Sequence, residues 1–226
     1  MMQAFRDLSR FERGLWRISL TAVTAAFVLS GSPDVLTLAA SLIGVTALVF
    51  VAKGYVLGQV LTVVFAVFYG VISFFQRYYG EMITYLGMTS PIALMAAVEW
   101  LRNPYKGTRE VRIRTLNARQ TALMWGLTII VTAGFHFILK ALGNASLAMS
   151  TLSIATSFLA SWLTLMRSPS YALAYAANDL VLIALWVTAS ANDPGCAPMI
   201  VCFAMFLIND SYGFINWRRM MKRQRE

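Results

Sequence analysis

The sequence predicts an all-α membrane protein with about eight spanning helices, and three observations support this. Hydrophobic residues make up 58% of the 226 residues and charged residues only 13%, whereas roughly 25% of residues are charged in an average globular domain. The mean hydropathy is +0.64. Finally, the apolar residues form runs long enough for a helix to cross a hydrocarbon core of about 30 Å. We therefore expect residues 1–226 to form a single transmembrane domain.

Eight apolar segments follow one another along the chain. The first is the shortest and carries Arg17 near its edge, so an interfacial amphipathic helix is the alternative for that segment. Pro91 lies inside the fourth segment and predicts a kink there. Cys196 and Cys202 lie six residues apart on different helix faces and are interpreted as apolar packing residues. The predicted segments are 15–30, 35–51, 55–75, 81–101, 121–139, 147–166, 171–190 and 198–217.

The distribution of basic residues predicts that both termini are cytoplasmic. Lys and Arg are enriched in the cytoplasmic loops of membrane proteins. If all eight segments span and the N-terminus is inside, 17 of the 19 basic residues fall inside, and only Arg77 and Lys140 fall outside. An interfacial first segment would move its four arginines outside and remove this asymmetry, so eight spans are favoured. The net charge of +9 thus lies in loops and tails and does not form a nucleic-acid-binding stripe.

A weak internal repeat predicts how the spans are grouped. Lys53 and Arg167 each end an apolar segment fifteen residues after a leucine. Two segments later, Trp100 and Trp217 each stand at a membrane exit. Since three helices leave the second unit inverted, one linker helix must restore its orientation, which gives a 3+1+3 parallel repeat after an extra N-terminal helix. The predicted units are a first three-helix bundle (34–103), a linker helix (120–140) and a second three-helix bundle (147–218).

Two Asn-Asp pairs interrupt the last two apolar segments. They are Asn178 with Asp179, and Asn209 with Asp210. An ionisable side chain at this depth costs about 2.5–3.5 kcal/mol on insertion scales and is by default a functional hypothesis. At a rise of about 1.5 Å per residue, both pairs lie roughly 10–12 Å from the inner edge. They are therefore expected at matching depth on neighbouring helices.

The candidate substrate contacts follow from side-chain chemistry. Amide side chains donate and accept hydrogen bonds, and the aspartates are expected to be neutral or hydrogen-bonded and to position the asparagines. Aromatic faces can stack on a ring or a cation. The alternatives are an interhelical clamp for the asparagines, worth about 0.6 kcal/mol, and packing or an interfacial belt for the aromatics. The predicted site comprises Asn178, Asn209, Tyr175, Asp179, Asp210, Trp186, Gln59, Tyr69 and Tyr212.

The other ionisable residues are given structural roles, and the sequence indicates no enzyme. Glu81 opens the fourth segment, where an acid favours the positive end of a helix. His136, the only histidine, is interpreted as a satisfied interior residue. The sequence contains no Walker motif, zinc-protease motif or nucleophile elbow. We therefore expect no catalytic residue, cofactor or metal.

The polar and aromatic runs of the chain, taken together, match one known family. The runs are AKGYVLGQ (52–59), FYGVIS (68–73), YYGEMITY (78–85), WLRNP (100–104), YAANDL (175–180) and LINDSYGFINW (207–217). From about residue 36 onward the chain resembles the PnuC family of bacterial vitamin B3 transporters. The resemblance implies a SWEET-like 3+1+3 bundle, homotrimers and the bacterial inner membrane. It also implies uptake of nicotinamide riboside by facilitated diffusion, followed by trapping through phosphorylation inside the cell.

The sequence departs from that family at one position. Many members carry a Trp four residues before the first asparagine, where this chain has Ala174. Alternatives are therefore a related transporter of thiamine, riboflavin or a deoxynucleoside, or a membrane subunit that does not transport. The absence of Lys and Arg from the middle of every predicted span favours a neutral or cationic riboside over a phosphorylated nucleotide.

Overall fold

The computed structural model describes residues 2–31, 34–144, 146–191 and 193–226, and this part of the chain is helical. Seven helices are long and apolar enough to cross a membrane, which confirms the all-α membrane class. The α-helices are α1 (Met2–Arg6), α2 (Arg10–Leu29), α3 (Val35–Ala52), α4 (Val56–Phe75), α5 (Tyr79–Ile83), α6 (Ser90–Arg102), α7 (Ala118–Ala141), α8 (Leu147–Leu165), α9 (Tyr171–Ser190) and α10 (Ala197–Arg225).

The N-terminal helix α2 is not one of these seven, because four charged residues occupy its first eight positions. It nevertheless lies antiparallel to α3 over most of its length. Glu12 pairs with Lys53 at the end of α3 at 3.0 Å. The Trp16 indole donates to Thr46 at 3.1 Å, and Phe27 packs in the cluster that contains the first turns of α3. An eighth span stays a prediction, and this pairing with a spanning helix supports it.

The fourth spanning element changes its helical geometry just before its proline. α5 passes into a π-helical segment, Thr84–Thr89, and α6 begins at Ser90. Pro91 then lies in the first turn of α6, where its missing N–H is tolerated. A π turn inserts extra backbone and re-aims side chains, and such turns are frequent at functional sites. The helical irregularity therefore lies at 84–89. The sequence had predicted a kink at the proline instead.

Six helices contact one another in a closed ring. The order is α3, α4, α6, α8, α9, α10 and back to α3. The helices α4 and α9 each lie between the other two helices of their predicted bundle. α2 covers the seam between α3 and α10, and α7 packs outside the ring against α8. There His136 Nδ1 and Thr151 Oγ1 are 3.1 Å apart, as expected for a satisfied histidine. This order fits two three-helix units with α7 as the linker, and the parallel repeat itself stays a prediction.

Glycines allow the helices of the ring to approach closely. A Cβ at Gly58 of α4 would overlap the backbone of Val51 in α3, and one at Gly44 of α3 would overlap the Phe206 ring of α10. Because lipid tails are as apolar as side chains, such close packing is a main source of helix association in membranes. These contacts hold α3 against both of its neighbours.

The helices α3 and α8 end in the same type of turn. The residue in the left-handed region is Gly54 (φ 69°) after α3 and Arg167 (φ 57°) after α8. In both turns the next residue donates its N–H to the carbonyl five residues earlier, which is a Schellman pattern. The sequence repeat pairs Lys53 with Arg167, whereas the turn geometry pairs Gly54 with Arg167, a shift of one residue.

Two backbone hydrogen bonds connect both turns to the same loop. In the connection between α6 and α7, Val111 donates its N–H to the Gly54 carbonyl at 2.9 Å, and Arg114 donates to the Arg167 carbonyl at 3.0 Å. We call α3, α4 and α6 the first half of the ring and α8, α9 and α10 the second half. The loop thereby links the end of α3 in the first half to the end of α8 in the second through main-chain hydrogen bonds.

The two exit tryptophans make reciprocal hydrogen bonds. Trp217 of the second half donates its indole N–H to the Val51 carbonyl of the first at 2.9 Å. Trp100 of the first half donates to the Thr164 carbonyl of the second at 3.1 Å. Each acceptor lies three residues before the positive-φ residue of its turn, and the two ring centroids are 5.4 Å apart. Each half therefore donates a tryptophan hydrogen bond to the helix end of the other half.

Candidate substrate-binding site

The two aspartates predicted at matching depth meet inside the ring. Asp179 of α9 and Asp210 of α10 are buried, and their side chains lie close enough to interact with each other. Two carboxylates at one buried site repel each other, so the site disfavours a second negative charge. Asp179 Oδ2 has no hydrogen-bond partner among the described residues. The pair therefore leaves one buried carboxyl oxygen available to a ligand.

Asn178 links α9 to α8. Its Oδ1 lies within hydrogen-bond distance of the hydroxyls of Thr156 at 2.8 Å, Ser157 at 3.0 Å and Ser153 at 3.3 Å. Ser153 also lies 3.1 Å from Glu81 Oε2. This arrangement is the interhelical clamp that the sequence left open as an alternative for the asparagines.

Asn209 points to a different neighbour. Its Nδ2 donates to Ser19 Oγ of α2 at 3.0 Å and to the Met205 carbonyl at 2.7 Å. Its Oδ1 is buried and has no partner within the described chain. The two asparagines are thus anchored to different helices, and only Asn209 keeps an unpartnered oxygen.

Aromatic rings fill the part of the ring that lies away from the Gly54 and Arg167 turns. Tyr69 of α4 is fully buried, and the Trp186 indole of α9 donates to its hydroxyl at 2.9 Å. The Tyr85 centroid, from the π-helical segment, lies 4.4 Å from that of Tyr69. Tyr69 and Trp186, both predicted from the sequence, are therefore brought together from opposite helices of the ring.

The other three predicted residues have different neighbours. Tyr212 donates its hydroxyl to Glu12 at 2.9 Å and so faces α2, which places it outside the ring interior. Helical periodicity alone could not show that this face of α10 meets α2. Tyr175 is half-buried against Tyr171, with ring centroids 6.1 Å apart. Gln59 is buried in the first turn of α4.

Glu81 is the interior residue that sequence reasoning assigned to a helix start alone. It does lie in the first turn of α5, but it is fully buried and accepts from Ser153. Its Oε1 has no partner in the described part of the chain. Tyr85 is within electrostatic range of both Glu81 and Asp179. An acid inside an apolar segment was the available signal, as it was for the Asn-Asp pairs.

A ring of spanning helices with a buried acidic and aromatic interior defines a multi-pass membrane transporter. A family model described as nicotinamide mononucleotide transporter matches residues 34–219. The chain belongs to this family. Its members are transporters and not enzymes, and the resemblance to the PnuC family seen in the motifs is confirmed.

Three relatives show how far the similarity extends. A protein of Neisseria mucosa named nicotinamide riboside transporter PnuC is 24% identical over 226 residues, covering 98% of this chain and 86% of the relative. A protein of the same name from Haemophilus influenzae is 24% identical over 182 residues, covering 80% and 77%. A solved structure described as the crystal structure of the vitamin B3 transporter PnuC has a TM-score of 0.83 and 25% identity, covering 96% and 94%.

Proposed function

We propose that this protein takes up nicotinamide riboside by facilitated diffusion. The supporting observation is the chemistry of the ring interior. The buried oxygens without a partner among the described residues include three carboxyl or amide oxygens, namely Asp179 Oδ2, Glu81 Oε1 and Asn209 Oδ1. Buried acceptors call for a ligand that supplies donors. Nicotinamide riboside supplies ribose hydroxyls, a carboxamide NH₂ and a cationic ring.

The aromatic cluster supports the same substrate. A cation over an aromatic face gains about 0.5–2 kcal/mol. Tyr69 and Trp186 are buried with their ring centroids 6.4 Å apart, and Glu81 is within electrostatic range of Tyr69. In this proposal the pyridinium stacks against the aromatic cluster of Tyr69, Tyr85 and Trp186. The donors of the substrate then reach the unpartnered oxygens.

The same chemistry favours the riboside over the mononucleotide. Phosphate recognition requires charge-assisted donors, mostly Arg or Lys. The one buried basic side chain of the described residues is Arg167, which lies in the turn after α8 and not in the ring interior. Acidic groups in the interior repel a phosphate. Phosphorylation of the riboside inside the cell would then prevent its return.

A competition assay tests this proposal. Purified protein in proteoliposomes takes up labelled nicotinamide riboside, and excess unlabelled riboside is expected to block uptake. Excess nicotinamide mononucleotide, checked for hydrolysis, is expected to leave uptake unchanged. Equal inhibition by both compounds would contradict the electrostatic argument.

A related solute is the second candidate, because Ala174 replaces a Trp that many family members carry. Thiamine, riboflavin and deoxynucleosides belong in the same competition assay. Inhibition by one of them that exceeds inhibition by the riboside would reassign the substrate and keep the transport function.

We further infer a homotrimer in the bacterial inner membrane, with eight spans and both termini in the cytoplasm. The charge asymmetry supports this topology, since 17 of 19 basic residues fall on one side. Asn192, in a loop expected outside, lies beyond the described residues, so Ala141 serves as the external probe. In a Cys196→Ala, Cys202→Ala background, Ala141→Cys should react with an impermeant thiol reagent in intact cells and Thr115→Cys should not. The reverse pattern would invert the topology.

A further inference from the structure

A cavity opens on the outer face of the ring, away from the candidate substrate site. It encloses about 560 Å³ between the C-terminal half of α6 and the end of α8. Its wall has two chemically distinct parts, an apolar part along the spanning helices and a charged part at their ends. No residue of this wall takes part in the proposed transport site.

The apolar part faces the surroundings of the helix bundle. Leu94, Met95 and Val98 of α6 are 59%, 56% and 41% exposed and lie on one helical face. They belong to a helix apolar enough to span a membrane. From Leu94 to Arg102 the helix rises about 12 Å, which lies within one leaflet of a hydrocarbon core of about 30 Å. Lipid chains are therefore the natural neighbours of this wall.

The charged part carries three arginines and one acid. Arg102 ends α6, Arg114 lies in the connection that follows, and Arg167 lies in the turn after α8. The hydrogen bond from the Arg114 N–H to the Arg167 carbonyl, 3.0 Å long, holds two of these arginines side by side. With Glu99 as the only acid of the lining, the formal charge of the cavity is +2.

Arg167 is buried with part of its guanidinium unsatisfied. Its Nη2 lies 3.3 Å from Glu99 Oε1, and its Nη1 donates to the Arg112 carbonyl at 3.4 Å. Its Nε is buried without a hydrogen-bond partner among the described residues. Burial lowers the pKa of Arg167, Glu99 opposes this shift, and the positive charges of Arg114 and Arg112 add to it. A bound anion would satisfy the donor and balance the crowded charges.

We propose that this cavity binds an anionic phospholipid, with its phosphate at Arg102, Arg114 and Arg167 and an acyl chain along the α6 wall. Basic pockets between spanning helices suit anionic lipid head groups. A free phosphate would use the charged part and leave the apolar wall empty. A second copy of the chain that packed through this same face would bring two surfaces of charge +2 together, which is unfavourable.

The test is lipid binding to the full chain purified in detergent, measured by native mass spectrometry. Phosphatidylglycerol and phosphatidylcholine with the same acyl chains are titrated in parallel. The wild type is expected to bind phosphatidylglycerol at least tenfold more tightly. Arg102→Gln combined with Arg114→Gln should lower phosphatidylglycerol affinity toward that of phosphatidylcholine, by up to about thirtyfold at roughly fivefold per basic residue near the lipid surface. Phosphatidylcholine affinity should not change.

The matched control removes two exposed charges at the same end of the bundle but outside the cavity. Lys222→Gln combined with Arg225→Gln is expected to preserve the preference for phosphatidylglycerol. Equal wild-type affinity for the two lipids would overturn the proposal without the need for any variant. An equal loss in the control variant would also overturn it, because the effect would then be non-specific.

Two outcomes would identify a different occupant. If millimolar inorganic phosphate displaces bound phosphatidylglycerol and stabilises lipid-free protein equally well, the site takes a soluble anion. If the wild type forms an oligomer without phosphatidylglycerol that dissociates in the Arg102→Gln, Arg114→Gln variant, a second copy covers the cavity.

Discussion

The two halves of the ring use the same backbone turn with different side chains. After α3 the left-handed position holds Gly54, and a Cβ there would lie 3.0 Å from Met220 Cε and 3.3 Å from Val111 Cγ1. After α8 the same position holds Arg167, a residue type that is uncommon in this region. The positive φ and these close contacts therefore favour glycine in the first turn. In the second turn the backbone strain is accepted because the side chain reaches Glu99 and the outer cavity.

The interiors of the halves differ as well. The second half contributes the Asp179–Asp210 pair, whereas the first contributes Glu81 and Gln59. The exit tryptophans, by contrast, make equivalent hydrogen bonds in both halves. This comparison shows that the features that close the ring are shared and that the features that meet a ligand are not.

The tryptophan pair gives the largest expected effect. Trp100→Ala and Trp217→Ala should each lower the free energy of unfolding by about 3–5 kcal/mol, since each removes a large buried ring. Similar losses in detergent-based unfolding would sharpen the equivalence of the halves. The control is Trp125→Ala, which removes a ring that is 52% exposed and should change stability little. A loss confined to one of the two buried positions would break the equivalence.

The asparagines should separate ligand binding from folding. Asn209→Ala should weaken substrate binding by about 1–3 kcal/mol, because a buried acceptor that the substrate satisfies is lost. The melting temperature should fall less than in Asn178→Ala, because Asn209 makes one hydrogen bond to another helix, at Ser19. Asn178→Ala should lower the melting temperature more, because Asn178 Oδ1 lies within hydrogen-bond distance of three hydroxyls of α8. Binding isotherms and thermal unfolding on the same preparations measure both effects. Parallel behaviour of the two variants would mean that both asparagines are clamps.

The Gly54 turn should tolerate a side chain less well than a turn with open space. Gly54→Ala should cost about 1–2 kcal/mol of stability from its left-handed backbone, with an added cost from the contacts with Met220 and Val111. Gly143 also has a positive φ but no atom within 4 Å of an added Cβ, so Gly143→Ala is the matched control with backbone cost alone. Equal losses in thermal unfolding would show that packing does not distinguish the first turn.

The link between the halves through Tyr69 gives the smallest expected effect. Tyr69→Phe removes the acceptor of the buried Trp186 indole and should cost about 1 kcal/mol. Tyr79→Phe, in the half-buried first turn of α5, is the comparison variant. If Tyr69→Phe instead lowers transport and leaves stability unchanged, the hydroxyl acts on the substrate and not on the fold.

The sequence by itself determined the membrane class and the places of the spans. The predicted segment 171–190 coincides with α9, and 35–51 differs from α3 by one residue. Length and hydrophobicity decide whether a segment can span, and these are local properties of the chain. The sequence also predicted that Asp179 and Asp210 lie at matching depth, because helical rise converts sequence position into height in the membrane.

Only the tertiary structure decided which way the side chains face. Glu81 reaches the interior through the packing of α5 against α8, Tyr212 turns to α2, and Asn178 is held by α8. Helical periodicity defines faces relative to one another, but the neighbour that each face meets depends on how distant helices pack. The outer cavity arises in the same way, since Arg167 is far from Arg102 and Arg114 in the chain and lies near them only because α6 contacts α8.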